Sequence, residues 1–137
     1  MKKFLTSGGL AAFSDITLLA LRLLVGGFLM WGTSDNIGSA ERMAEFVAFQ
    51  RQFGFPAPEI LAPVSVWAQF VCGALIALGL LIRWAGLVMA AHFVIAVLMV
   101  HLGDDFRGQF PALVLIAASA HFAAAGAGRY SIDRLLG

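Results

Sequence analysis

Residues 60–82 read ILAPVSVWAQFVCGALIALGLLI, and this stretch decides the fold. It is 23 residues long and carries no formal charge. At about 1.5 Å of rise per residue it is roughly 34 Å long as a helix, enough to cross a hydrocarbon core of about 30 Å. It reads as a membrane span. The rest of the chain agrees. Hydrophobic residues make up 61% and charged residues 12% of the 137 positions, and the mean hydropathy is +0.89. An ordinary soluble domain carries roughly 25% charged residues. So few charges cannot dress this much apolar surface for water, and a bilayer removes the conflict. The length suits one domain. A net charge of +1 gives no reason to expect nucleic acid as a partner; membrane lipid is the expected one.

Working outward, three more spans are expected. The first covers about 16–32, ITLLALRLLVGGFLMWG, with Arg22 its one charged residue, and ends in the polar run TSDN. The third covers about 84–102, after a tight turn at Arg83 and Trp84, and the fourth about 110–126. The start, MKKFLTSGGLAAFSD, resembles a signal peptide, but Asp15 and Arg22 interrupt its core and no small-residue cleavage site follows. It reads as an uncleaved interfacial lead-in. Between spans one and two, about 39–53, Ser39 is a candidate cap. There Met43, Phe46, Val47, Phe49 and Phe53 oppose Glu41, Arg42, Glu45, Arg51 and Gln52 at helical spacing. This short amphipathic helix either lies in the headgroup layer or packs as a lid on the helix ends. Pro63 is expected in the first turn of span two. The fold class is therefore all-α, an integral membrane four-helix bundle with an interfacial helix.

Four spans put both termini on one side. Lys2, Lys3, Arg83, Arg129 and Arg134 fall there, against Arg42, Arg51 and Arg107 on the other, so the termini are expected in the cytoplasm. Small residues recur at spacing four: Gly86 with Ala90, Gly73 with Ala77, and Ser119 with Ala123 and Ala127. These mark close helix crossings. Trp31, Trp67 and Trp84 sit at or near interfacial ends and read as an aromatic belt.

Ionisable residues inside spans usually face the bundle interior. By helix rise, Arg22, His92 and His121 reach similar depths from the terminal side. Gln69 needs a partner in lipid and should also face inward. Together they are candidates for a quinone or other ligand pocket, or for haem or metal ligation by the histidines. The plainer alternative is a histidine bonded to a neighbouring helix and an arginine snorkelling to the headgroups. His92 and His101 are nine residues apart. At 100° per residue they point about 180° apart and should not act together. At the outer rim His101, Asp104 and Asp105 make a partial divalent-metal site, or an ordinary solvated loop. Cys72, the one cysteine, is expected to be buried and inert. No nucleophile–base pair, phosphate loop or hydrolase signature is present.

The order LALRLLVGG, FGFPAPEILAP, SVWAQFVCGALIALGLLIRWAG, MVHLGDDFRG and closing GAGRYSIDRLL resembles the DoxX family of small four-helix bacterial membrane proteins. The resemblance covers about 16–137, with ALGLLIRWAG and GRYSIDRLL its most specific parts. It implies a bundle in the bacterial cytoplasmic membrane and a link to redox work. Three positions depart from common family patterns. Trp31-Gly32-Thr33-Ser34-Asp35-Asn36 stands in place of a His-Gly and a lysine, and Gln69 and Gln109 stand where carboxylates are frequent. Those amides remove groups that would shuttle protons or bind a cation. The resemblance and the lack of a complete catalytic constellation imply an accessory subunit of a membrane electron-transfer complex, not catalytic on its own and held to other membrane subunits. A quinone-interacting oxidoreductase component, with Arg22, His92 and His121 around the head group, is the alternative. A small transporter or channel is a second one, needing oligomerisation to enclose a pore. A quinone is compatible with these residues, and none of them requires a cofactor.

Overall fold

A computed structural model describes residues 8–137 of the chain. Lys2 and Lys3, and with them the start of the expected interfacial lead-in, lie outside the described residues. A 3-10 turn, Gly8–Phe13, leads into α1 (Ser14–Gly38). Then come α2 (Ala40–Gln52), α3 (Pro58–Leu78), α4 (Ile82–Ala96) continued by a π turn (Val97–His101), α5 (Phe106–Ala125) and the short α6 (Ile132–Leu136). No strand occurs among the described residues. Among the described residues four segments are long and apolar enough to cross a membrane: Gly8–Gly38, Pro58–Leu78, Ile82–His101 and Phe106–Ala125. This is the expected all-α membrane bundle, and helices are the structure lipid demands because each satisfies its own backbone.

The helix ends depart from the sequence reading in instructive ways. TSDN does not end α1: Thr33 Oγ1 donates to Leu29 O at 2.7 Å and Ser34 Oγ to Trp31 O at 2.7 Å, so the polar run stays helical to Gly38. Pro58, not Pro63, occupies the first turn of α3; Pro63 lies inside the helix. GDDFRGQ is half helix, because the Asp105 carboxylate accepts from Gly108 N at 2.9 Å and caps α5. The α3–α4 turn falls at Gly79–Leu81, ahead of Arg83 and Trp84. Gly79 at φ 68 is left-handed, and so is Leu81 at φ 49. Nothing polar marks this turn, since Leu80, Leu81 and Ile82 are as apolar as the helices around them.

The closing segment holds that turn. Asp133 takes the amide of Leu81 on Oδ1 at 2.7 Å and that of Ile82 on Oδ2 at 3.0 Å, while its own N–H reaches Gly79 O at 2.9 Å. Its carboxylate thus caps the N-terminus of α4 from 51 residues away in sequence. Asp133→Ala is expected to lower stability by about 1–2 kcal/mol, the usual loss of an N-cap. Denaturant unfolding in mild detergent checks this, with Asp133→Asn, which keeps one acceptor, recovering part of the loss.

The four long helices form two tight pairs, α1 with α3 and α4 with α5, joined along a looser α3–α4 seam. Small residues set both crossings, as the spacing-four pattern predicts. A Cβ added at Gly26 would lie 2.4 Å from Gly73 O; one added at Gly86 would lie 2.5 Å from Ser119 O. Between the pairs, Leu29, Ile76, Ile82, Met89 and Phe122 form the buried centre, with Cys72 buried among them. Trp31, Trp67 and Trp84 are exposed.

Candidate functional site

The seam that packs loosely is where the pocket lies. A largely apolar cavity of about 520 Å³ runs between α3 and α4, and α2 covers it at the end away from the termini. The sequence explains the lid. Ser39 accepts from Arg42 N at 3.3 Å and starts α2, and Asn36 Nδ2 donates to Arg42 O at 3.1 Å. At its other end Arg51 pairs with Glu59 across the α2–α3 connection. The amphipathic segment packs against α1 and α3 and covers this cavity. It turns Phe46, Phe49 and Gln50 to the cavity. Val64 and Ile95, both more than half exposed, form part of its wall and open it sideways toward lipid.

The polar lining is sparse and specific: Gln50, Ser65, Gln69, His92 and His101. Gln50 is only 4% exposed, and its Oε1 has no hydrogen-bond partner. A buried amide oxygen without a donor costs roughly 1–3 kcal/mol, which a ligand donor or an ordered water would recover. Sequence reasoning missed this residue. A signal exists: Met43, Phe46, Val47 and Gln50 occupy one stripe at i, i+3, i+4 and i+7, so Gln50 is the polar member of an apolar face.

His92 and His101 both line this cavity, against the expectation that they point apart. The cause is the π turn over Val97–His101. A π turn takes up about one extra residue, which shifts the phase by about 100° and brings the second histidine back toward the face of the first. Such turns concentrate at functional sites. His101 Nδ1 lies 2.8 Å from Asp104 Oδ2. With the proton on that nitrogen, Nε2 is left as an acceptor. His92 lies about 15 Å along α4 from its start at Ile82, so the cavity reaches from the lid to mid-membrane depth.

The other candidate residues lie elsewhere. Arg22 is 1% exposed and lines neither this cavity nor a path to it. Nε donates to Ile76 O at 3.0 Å and Nη2 to Ala77 O at 2.9 Å, in the last turn of α3. Nη1 donates to Ala127 O at 2.9 Å and Tyr130 O at 2.7 Å in the closing segment. Four of its five N–H groups are committed to backbone, and its charge sits at the negative end of a helix dipole. His121 is exposed on α5 and is not brought together with His92 or Arg22 in this cavity. The similar depth inferred from helix rise said nothing about which way each side chain turns. At the rim, His101 pairs with Asp104, but Asp105 is held as the cap of α5. Among the described residues no three His, Cys, Asp or Glu side chains gather as a metal site. The sequence-named residues that the structure brings together are Gln69, His92 and His101.

No curated protein and no solved structure matches the chain. The DoxX family model matches residues 17–102, which holds Arg22, the lid, both pocket-forming helices and the π turn, but not the closing GRYSIDRLL. That match spans more than half of the chain, and the protein is a multi-pass membrane protein of the DoxX family.

Proposed function

We propose that this protein is a quinone-binding auxiliary component of a membrane redox assembly, with the α3–α4 cavity as the head-group site. The observation that carries the reading is the unpartnered Gln50 oxygen in the wall of an otherwise apolar, laterally open cavity. Ligand pockets have this character: apolar walls with a few placed polar groups. A quinone ring suits apolar walls such as Phe46, Phe93 and Met99, and its chain suits the opening between Val64 and Ile95. The hydroxyl of the reduced form, the quinol, is the donor that Gln50 Oε1 lacks, while the oxygens of the oxidised form can accept from the Gln69 amide N–H or an imidazole N–H. The redox setting follows from the family resemblance. The resemblance, the small size and the lack of a complete catalytic constellation in the sequence support an accessory role beside another subunit. We place the chain in the bacterial cytoplasmic membrane with its termini on the cytoplasmic side, where Arg83, Arg129 and Arg134 lie.

Solvent extraction of protein purified in mild detergent is expected to release bound quinone. A short-chain quinone is expected to bind saturably. His92→Ala and Gln69→Leu should each weaken that binding about tenfold, a loss of about 1.4 kcal/mol. Binding that never saturates, or that ignores both substitutions, would overturn the assignment. Arg22→Lys serves as the contrasting substitution, because Arg22 lies outside the cavity and its change should leave quinone affinity intact.

A further inference from the structure

At the end that carries the termini lies a second, larger cavity of about 810 Å³. Three guanidinium groups line it: Arg83, Arg129 and Arg134. Among the described residues none of the three is in a salt bridge. Two acids share the lining, Asp15 and Asp133, and both are already engaged. Asp133 holds the amides of Leu81 and Ile82, and Asp15 Oδ1 accepts from Arg129 N at 3.1 Å. Arg83 uses Nη1 on the carbonyls of Ala123 and Ala124, capping α5. Arg129 lies over the Tyr130 ring, and its guanidinium, like that of Arg134, makes no hydrogen bond among the described residues.

The rest of the wall mixes Ser131 and the backbone of Gly126, Gly128 and Gly137 with apolar side chains, several of which face outward. Leu81, Trp84 and Leu136 line the cavity at 54%, 69% and 75% exposure. The cavity sits where α3 ends, α4 begins and α5 ends, so it lies at headgroup level. Unpaired guanidiniums beside exposed apolar side chains at that depth are the complement of an anionic amphiphile. Phosphate oxygens match the planar fork of arginine, and acyl chains cover the leucines and the indole. We propose that this cavity binds the headgroup of an anionic phospholipid, with Arg129 and Arg134 as its charge partners. The site is at the opposite end of the bundle from the quinone cavity and stands or falls independently of it.

Titration of the full chain in a non-ionic detergent tests this, with dihexanoyl phosphatidylglycerol, dihexanoyl phosphatidylcholine and inorganic phosphate as probes. Tryptophan emission provides the signal, because Trp84 lines the site. The expected result is phosphatidylglycerol binding at least tenfold tighter than phosphatidylcholine, with the preference shrinking as salt is raised. In Arg129→Gln with Arg134→Gln the preference should fall to about unity while phosphatidylcholine binding is unchanged. Arg83 is left in place because it caps α5. Equal affinity for the two lipids in the unaltered protein would overturn the proposal without reference to any variant. Inorganic phosphate binding as tightly as phosphatidylglycerol would make the site one for a free anion and overturn it too. A preference that survives the double substitution would remove these arginines from the site.

Discussion

Arg22→Met is expected to cost about 3 kcal/mol of folding stability, more than any other single polar substitution in this chain. Methionine keeps most of the buried stem but donates nothing. Three carbonyls then lose their donor, Ala77, Ala127 and Tyr130, whereas Ile76 O keeps the Gly79 amide at 3.1 Å. At the low end of the penalty for a buried acceptor, about 1 kcal/mol each, the sum is about 3 kcal/mol. The carbonyls belong to different parts of the chain, the last turn of α3 and the closing segment. The substitution therefore also loosens the strand of chain that brings Asp133 to the α4 N-terminus. Arg22→Lys keeps the charge at the α3 C-terminus but has three donors in place of five and no fork. It should recover roughly half of the loss. Denaturant titration in mild detergent, followed by far-UV circular dichroism, gives both numbers. An Arg22→Met protein within about 1 kcal/mol of the parent would show that water reaches these carbonyls and that the arginine is not the tie described here.

Arg22 also shows how far the sequence could be read. A lone charge in LALRLLVGG advertises importance, but its spacing does not say for what. Partners at Ala127 and Tyr130 are more than a hundred residues away, and backbone carbonyls leave no mark in a sequence. The four rods were legible because lipid forces long uncharged runs, and the lid because Ser39 and the phenylalanine stripe follow helix rules. The α3–α4 turn was not, because Gly79–Leu81 is apolar and its left-handed geometry is held by an aspartate near the chain's end. That His92 and His101 line one cavity was hidden for a similar reason. Counting residues at 100° assumes an unbroken α-helix, and the π turn breaks that count. Half of the expected ligand group, Gln69 and His92, lines the cavity. The other half, Arg22 and His121, was grouped by depth alone.

Gly26→Leu is expected to be as damaging as the loss of Arg22, and the neighbouring residue provides the control. At Gly26 even a methyl group would meet Gly73 O at 2.4 Å, Ala77 N at 2.8 Å and Ala77 Cβ at 2.9 Å. Two of those atoms are backbone, so the helices themselves must part. At Gly27 an added Cβ meets nothing within 4 Å. Gly27→Ala should therefore gain up to about 1 kcal/mol from helix propensity, whereas Gly26→Ala gains the same propensity and loses about 1–3 kcal/mol to overpacking. Leucine at 26 drives α1 away from α3 by more than a rotamer can absorb. In lipid the crossing has little but close packing to hold it, so separation is not resisted by a hydrophobic effect. Arg22 lies four residues before Gly26 on the same face of α1, and its bonds to Ile76 and Ala77 span the same crossing. Moving the helix apart must stretch those bonds. Gly26→Leu and Arg22→Met should therefore be less than additive, with the double variant at least 1 kcal/mol more stable than the sum of the single losses implies. Strict additivity in that cycle would mean that the glycine crossing and the arginine tie hold α1 independently, which the shared face of the helix argues against.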